Sequence, residues 1–453
     1  MTTSSTLPGS APRARPRELG RPAAGVPLLG SALSLQRDML GFLEAIDRAH
    51  GPMASFRVGP ARWVLASRAD AIEDVLVGRG EDFDKPDALY GHGRMIFGNA
   101  LTGLKGARWR ARRSIVAPAF HRQPLDAHAI TGFVAAWVEQ AGAQSEVKLG
   151  EQLTRVMTRV TCANLLDGAH GEHAAAAAGA ALGAMGTRAN FGVPLPDWLP
   201  LRPVSTMRRA VTELERFFDA AVRVGEGRER ADLRTALEAL RGEDGERLLD
   251  YAAVRAEINV MVAVGGHQLA LALAWALYLL DTNPQALDSL TEELDRTLGE
   301  RHADLTDLDG LTFTGQVIDE TLRIYPPFYL IGREALRDTL VAGWQVPRGT
   351  TVVLSPWVTQ RLPEYFERPG EFRPQRWTAQ LRRELPRAAY FPFGGGGRLC
   401  VAQAASRRQL MLALATIVSR CRVRFDHGRS MRPRTTTSLE QPRGVLVRVE
   451  TRR

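Results

Sequence analysis

Cysteine is nearly absent: the 453 residues contain three, Cys162, Cys400 and Cys421. So sparse and odd a count excludes a disulfide framework and fits a reducing compartment. No uninterrupted run of eighteen apolar residues occurs, so no segment reads as a membrane span. The first stretch, MTTSSTLPGSAPRARPRELGRPAAGVPLLG, lacks the apolar core of a signal peptide. A cytoplasmic protein with no integral membrane contact is expected. Internal repeats and a clean linker are also missing. The formal charge is +9, but no basic stripe with aromatic platforms and no nucleic-acid motif accompanies it, so no nucleic-acid partner is expected. An acidic protein partner explains the charge at least as well.

What is present is ordinary for a globular enzyme: 45% hydrophobic and 24% charged residues. The richness in Ala, Arg and Gly suggests a bacterial source with a GC-rich genome. Residues 1–22, rich in Ser, Pro and Arg, read as a flexible tail, and 23–453 as one catalytic unit. Pro52 to Ser67 shows two β-rich runs around Gly59-Pro60, a hairpin pattern. Ser67 is positioned to cap the helix that follows. From about Lys105 to Ala256 the pattern is mainly helical, and EHAAAAAGAALGAMG is strongly helix-forming. NFGVPLPDWLPLRP, Asn190 to Pro203, reads as an apolar loop, either edging a substrate entrance or packed as a connector. TLVAGWQVPRGTTVVLSP turns to β character. Helices outweigh strands throughout.

Two stretches carry chemistry. In VAVGGHQLALALAW, Val262 to Trp275, a long apolar helix contains two adjacent glycines, each costing about 1 kcal/mol relative to alanine. Something approaches the backbone there, or the helix bends. Its only polar side chains are His267 and Gln268. The second stretch is FPFGGGGRLCVAQAASRRQLMLALATIV, Phe391 to Val418. Four glycines precede an arginine and a cysteine, and an apolar helix follows. Glycine permits backbone angles and close approaches that other residues forbid. A cysteine just before a helix start sees the positive end of the dipole, which favours thiolate. A single thiolate on haem iron is one such arrangement, and a buried cysteine after a glycine turn is the other reading. Glu320 and Arg323, three apart in DETLRIYPP, share a helix face, and EFRPQRW adds Arg376.

Together, Phe393-x-x-Gly396-x-Arg398-x-Cys400, Glu320-x-x-Arg323, Pro374-x-Arg376-Trp377, Trp109-x-x-x-Arg113 and RPAAGVPLLG resemble the cytochrome P450 haem-thiolate family, in order and over essentially the whole chain. The resemblance implies a mainly α fold with a smaller β-rich portion, and a haem b between a long central distal helix and a proximal cysteine loop. It implies Cys400 as iron ligand, Phe393 packed near the thiolate, and Gly394 and Gly396 shaping the loop. Arg398, Arg113 and Arg333, with Trp109, would meet the haem propionates; bidentate Arg suits carboxylates. Glu320, Arg323 and Arg376 would form a structural ion network, and Cys162 and Cys421 would only pack.

The chain departs from the family pattern at Ala402, Ser406, Gln409 and Gln360. The sharper departure is in the central helix. Its register puts Gly265 at the usual glycine, His267 where an acid is usual, Gln268 where a proton-delivering Thr is usual, and Leu269 at a second frequent Thr. In that register the glycines open the backbone for oxygen and haem. A carboxamide donates and accepts hydrogen bonds but relays protons poorly. Histidine titrates near neutrality and either takes over the relay or is simply a satisfied polar residue. The expected activity is a monooxygenase acting on a small apolar secondary metabolite, terpenoid-like, with electrons from a ferredoxin and its reductase or a similar donor. Arg112, Arg407 and Arg408 would face that donor. The alternative is a coupling, peroxide-using or redox-neutral haem-thiolate enzyme. A haem-binding sensor without turnover is a third possibility. The pocket would draw on Asp87 to Leu101, Asn190 to Pro203, the central helix and Phe328 to Ile331.

Overall fold

The computed structural model describes residues 16–91, 98–166, 177, 202–225, 232–242 and 244–452. Among them nine helices exceed ten residues: α1 (Ala32–His50), α2 (Gly106–His121), α3 (Ala127–Gly142), α4 (Leu149–Leu166), α5 (Arg202–Gly225), α6 (Tyr251–Asp281), α7 (Pro284–Leu298), α8 (Thr312–Ile324) and α9 (Gln403–Arg420). Two expected features, EHAAAAAGAALGAMG and most of Asn190 to Pro203, lie outside the described residues, apart from position 177. Within the expected tail, Arg17 already exchanges backbone hydrogen bonds with the 343–345 turn: its N–H donates to Gly343 O and its carbonyl accepts from Gln345 N.

The architecture follows from α6. Asp250 caps its start, accepting from Ala253 N at 2.7 Å. Its apolar residues run all round the helix, so it can satisfy them only by burial in the core. Val262, Ala263, Leu273, Trp275 and Ala276 are all fully buried. By length and composition α6 is apolar enough to cross a membrane, and 72% of its apolar stretch is buried inside the protein. This revises the expectation drawn from unbroken runs. The glycines, His267 and Gln268 interrupt the run, yet the helix as a whole stays apolar.

The adjacent glycines divide their work. A Cβ on Gly266 would lie 2.6 Å from both Cα and Oγ1 of Thr158, so glycine is what lets α4 cross α6 this closely. A Cβ on Gly265 would meet only Thr161 Cγ2, at 3.6 Å, an ordinary contact. The close approach anticipated in the sequence is therefore a helix crossing at Gly266. Helices α3, α4, α6, α7, α8 and α9 share one core. Truncating a fully buried member such as Leu273 to Ala would cost about 2–5 kcal/mol.

The largest sheet has the order β1-β2-β8-β5-β3. Strands β1 (Met53–Val58) and β2 (Ala61–Ala66) form the expected hairpin about Gly59, with Met53 opposite Ala66. Next, β8 (Thr351–Leu354) runs parallel to β2, and β5 (Ile331–Ala335) returns antiparallel, with β3 (Phe83–Asp84) at the edge. A second sheet joins β4 (Val147–Lys148), β12 (Leu446–Thr451) and β9 (Cys421–Phe425). Two small hairpins pair β6 (Thr339–Val341) with β7 (Trp344–Val346), and β10 (Arg434–Thr435) with β11 (Leu439–Glu440). After β2 the helix start differs from expectation. Arg68 occupies the cap position, and the hydroxyl of Ser67 donates to buried Asp47 instead.

Glu320 and Arg323 are fully buried. Glu320 accepts two bonds from Arg323, at 2.9 Å each, and one from Arg376 Nε at 2.9 Å. Trp377 Nε1 and Arg373 N complete it at 3.0 Å. Arg323 spends its remaining donors on the carbonyls of Gln360, Pro369 and Glu371. The unusual Gln360 is tied in: its amide N–H groups donate to the carbonyls of Leu322 and Arg323, and its Oε1 accepts from Phe391 N. The network ends one residue before the cysteine loop begins to turn.

Candidate active site

The cysteine loop is a sequence of obligatory turns. Gly394 has φ +76, the left-handed region, with nothing closer to a Cβ there than Ile331 Cδ1 at 3.7 Å. Handedness, not crowding, selects that glycine. Gly396 needs both: φ is +61, and a Cβ would sit 1.8 Å from the carbonyl oxygen of Leu76. Gly396–Arg398 forms a single 3-10 turn, and Cys400 N then donates to Phe393 O at 3.0 Å. Phe393 is half-buried and packs on the main core.

Cys400 is exposed, whereas Cys162 and Cys421 are buried. Burial pushes the thiols of Cys162 and Cys421 up to about 12. The surrounding protein also pushes the Cys400 thiol up, but the Ala402 N–H and the Arg113 guanidinium oppose that by favouring thiolate. A bound cation would reverse the balance outright.

Beside the loop lies a cluster of buried cations. Arg398 stacks on the Trp109 ring, 4.0 Å from its centroid, and its Nη2 donates to Asp84 Oδ1. Asp84 also accepts from Gly106 N at 2.8 Å and Lys85 N at 2.7 Å. Lys85 Nζ donates to the carbonyls of Leu101, Thr102 and Leu104. Arg333 is buried, and its one hydrogen bond among the described residues goes to the carbonyl of Gly332. Burial, then Arg398 and Arg333, depress the Lys85 pKa to about 7. Burial likewise lowers Arg398 to about 10, against the pull of Asp84. Asp84 and Glu257 both act on Lys85, Asp84 alone is paired with Arg398, and Arg398 Nη1 is buried with no partner among the described residues. The two propionates of a haem would supply the anions this corner lacks. Together with the exposed Cys400, these residues fit a haem.

Sequence reasoning missed Asp84 and Lys85. The only available signal was the charge run in DFDKPD, which reads as a solvated loop until Arg398 is placed on it. Of the arginines expected to face an electron donor, Arg112 also donates from Nη1 to fully buried Glu257 of α6 at 2.9 Å. Glu257 also accepts from Leu101 N at 2.8 Å, and burial raises its pKa. Arg407 pairs with buried Asp319 at 3.0 Å. Arg408 is exposed.

On α6 between residues 257 and 277, Met261, Val264, Gly265, His267 and Gln268 keep partial access while the rest is buried. Met261, Val264, Gly265 and Gln268, at i, i+3, i+4 and i+7, form one stripe, and His267 lies beside it. Gln268 Nε2 donates to Ser438 Oγ at 2.7 Å, while its Oε1 is buried with no partner among the described residues. His267 is turned about 100° away. Burial lowers its pKa and the nearby Glu440 carboxylate raises it. The expected neighbours His267 and Gln268 are therefore committed to different surroundings. Among the described residues no group of three or more His, Cys, Asp or Glu side chains is placed to hold a metal ion, so a single protein sulfur is the donor available.

A family model described as Cytochrome P450 matches residues 21–449. Cyclooctat-9-en-7-ol 5-monooxygenase of Streptomyces melanosporofaciens is 30% identical over 424 residues, covering 92% of each chain. Pentalenene oxygenase of Streptomyces avermitilis is 29% identical over 445 residues, covering 96% of this chain and 97% of that one. Among solved structures, retinoic acid bound cyanobacterial CYP120A1 superposes with a TM-score of 0.85 at 23% identity, covering 97% of this chain and all of that one.

Proposed function

The chain belongs to the cytochrome P450 family and is a haem-thiolate monooxygenase, and from that premise we propose that it oxidises a small apolar, terpenoid-like secondary metabolite in a bacterial cytoplasm, with electrons from a ferredoxin and its reductase or a similar donor. The observation that carries the reading is Cys400: of the three cysteines it alone is exposed, at the end of a loop in which Gly394 and Gly396 hold left-handed backbone. The relatives support the substrate class, since one is named for pentalenene and one for cyclooctat-9-en-7-ol.

Cys400 would hold the iron of haem b, with the Ala402 N–H and Arg113 favouring the thiolate against desolvation. Arg398, Arg333 and Arg113, with Trp109 as a stacking plate, would hold the propionates, and Lys85 adds a charge that sequence reading overlooked. When bound, the haem supplies the oxidising power for an unactivated carbon. Phe393, Gly394 and Gly396 would shape the space beneath it. Met261, Val264 and Gly265 would pack against an apolar substrate and exclude water. His267 would hold a proton, exchanged through water on its Glu440 side.

One observation favours the alternative, a coupling, peroxide-using or redox-neutral enzyme. No hydroxyl stands at position 267 or 268, and one Gln268 N–H is bonded to Ser438. The deciding experiment measures product with and without reductant and oxygen. Strict dependence on both supports the monooxygenase. Product formed without electrons or peroxide overturns it.

A further inference from the structure

We infer that Gln268 recognises a hydrogen-bond donor on the substrate, so that the enzyme takes an apolar molecule already carrying a hydroxyl group. This rests on the apolar-substrate reading above and narrows it. The amide is tethered at one end. Its Nε2 donates to Ser438 Oγ at 2.7 Å, and Ser438 is 1% exposed. The hairpin around Ser438 is itself fixed: Thr436 N donates to Ser438 O at 3.0 Å, and Ser438 N donates to Thr436 Oγ1 at 3.2 Å. Two further bonds fasten this hairpin along α6, from Trp275 Nε1 to Leu439 O at 3.1 Å and from Gln441 Nε2 to Ala274 O at 2.9 Å.

One Nε2 hydrogen is spent on Ser438, and the carbonyl Oε1 is buried and without a partner among the described residues. An unmatched buried carbonyl is destabilising, and it is retained where something else completes it. A carbonyl can only accept, so its partner must donate. Gln268 shares the accessible stripe of α6 with Met261, Val264 and Gly265, none of which has a side-chain donor. A charged donor would be poorly solvated beside those apolar neighbours. The Glu440 carboxylate, which acts on His267, is occupied by Thr436 Oγ1 at 2.8 Å and Arg434 at 3.3 Å. A neutral hydroxyl on an apolar frame is the class that fits. A preceding hydroxylation or hydration of the same skeleton must then supply the substrate.

The test uses the haem-loaded enzyme and equilibrium binding, read from the haem absorbance. The probes are two matched pairs, α-cedrene with cedrol and decalin with 2-decalol. For each pair the ratio of hydrocarbon to alcohol dissociation constants is compared across variants. Gln268→Leu should lower that ratio about tenfold, the worth of one well-made hydrogen bond. Gln268→Glu, which still accepts, should keep the preference for the alcohol. Haem content and melting temperature of each variant check the fold. An unchanged ratio in Gln268→Leu overturns the inference. So does equal weakening of both members of a pair, since that is what a mere latch for the hairpin would give. If the hydrocarbons bind and the alcohols gain nothing, the inference alone falls. If no member of either pair binds, the apolar-substrate reading falls and takes the inference with it.

Discussion

Two clusters of buried arginine in this molecule look alike in sequence and differ in what they leave unfinished. Around Glu320, every carboxylate lone pair and every Arg323 donor meets a partner inside the protein. Around Arg398, Asp84 is the one carboxylate paired with the guanidinium, and a guanidinium nitrogen is left over. A closed network spends its hydrogen bonds on holding elements together. An open one holds binding energy for a group the chain does not itself contain. The first joins α8 to the meander before the cysteine loop. The second lies where the family places haem carboxylates.

The sharpest way to break this division is at the sulfur. Cys400→Ala should abolish the red-shifted carbon monoxide band of the reduced enzyme entirely. Cys162→Ala and Cys421→Ala should keep it, because both of those sulfurs are buried with raised pKa values. A thiolate spectrum surviving in Cys400→Ala would show that the open cluster belongs to something else. On the closed side, Glu320→Ala would strand Arg323 and Arg376 with no counter-charge. Removing one partner of a buried pair typically costs about 3–5 kcal/mol. The variant should show a lowered melting temperature and poor recovery of haem-loaded protein. Full stability with only slower turnover would contradict a structural role.

The same change of charge should act differently in the open cluster. Arg398→Leu removes a donor to Asp84, yet it also relieves repulsion on Lys85 and Arg333. The haem-free fold should therefore change little, while haem affinity drops by about 10- to 100-fold, the worth of a charge-assisted bond at about 1.5–3 kcal/mol. Haem-transfer kinetics to a scavenger protein measure this directly. Equal losses of haem-free stability in Arg398→Leu and Glu320→Ala would erase the distinction between the clusters.

How much of this could be read from the chain alone depended on sequence separation. Gly394, Gly396, Arg398 and Cys400 fall within seven residues, and their spacing reflects local turn geometry. Glu320 and Arg323 are one helical turn apart, so their pairing was visible. Asp84 lies 314 residues from its partner Arg398, and Ser438 lies 170 from Gln268. No periodicity encodes such contacts, because they depend on how β3 and the β10–β11 hairpin are carried across the fold. Ser67 misled for a related reason: a serine before a helix is a good cap unless a buried carboxylate such as Asp47 claims it first. The glycine pair was half-legible. A close approach at Gly265-Gly266 was foreseen, but that α4 makes it, through Thr158, could only come from the packing.

The smallest expected effect is also the most specific to the open cluster, and it concerns pH. Lys85 is depressed to about 7 in the folded protein from an ordinary value of 10.5, first by burial and then by Arg398 and Arg333. The sign follows from proton counting. Between about pH 7 and 10 the unfolded chain holds the Lys85 proton and the folded chain has released it. The unfolded state then binds more protons, so stability rises with pH across that window. Below pH 7 both states are protonated and the destabilisation is fully present. Haem propionates close to this corner would raise the folded pKa again, so loading the haem-free protein at pH 8 should take up part of a proton, and haem affinity should weaken as pH rises from 7. The control is Lys85→Met, which keeps the stem and removes the charge. Its haem affinity should be flatter over the same range, and its haem-free stability should lose the rising component. Isothermal titration of haem in two buffers of different ionisation enthalpy reads the proton uptake. Uptake that is identical in the native protein and Lys85→Met would place the titrating group elsewhere and detach Lys85 from the cluster.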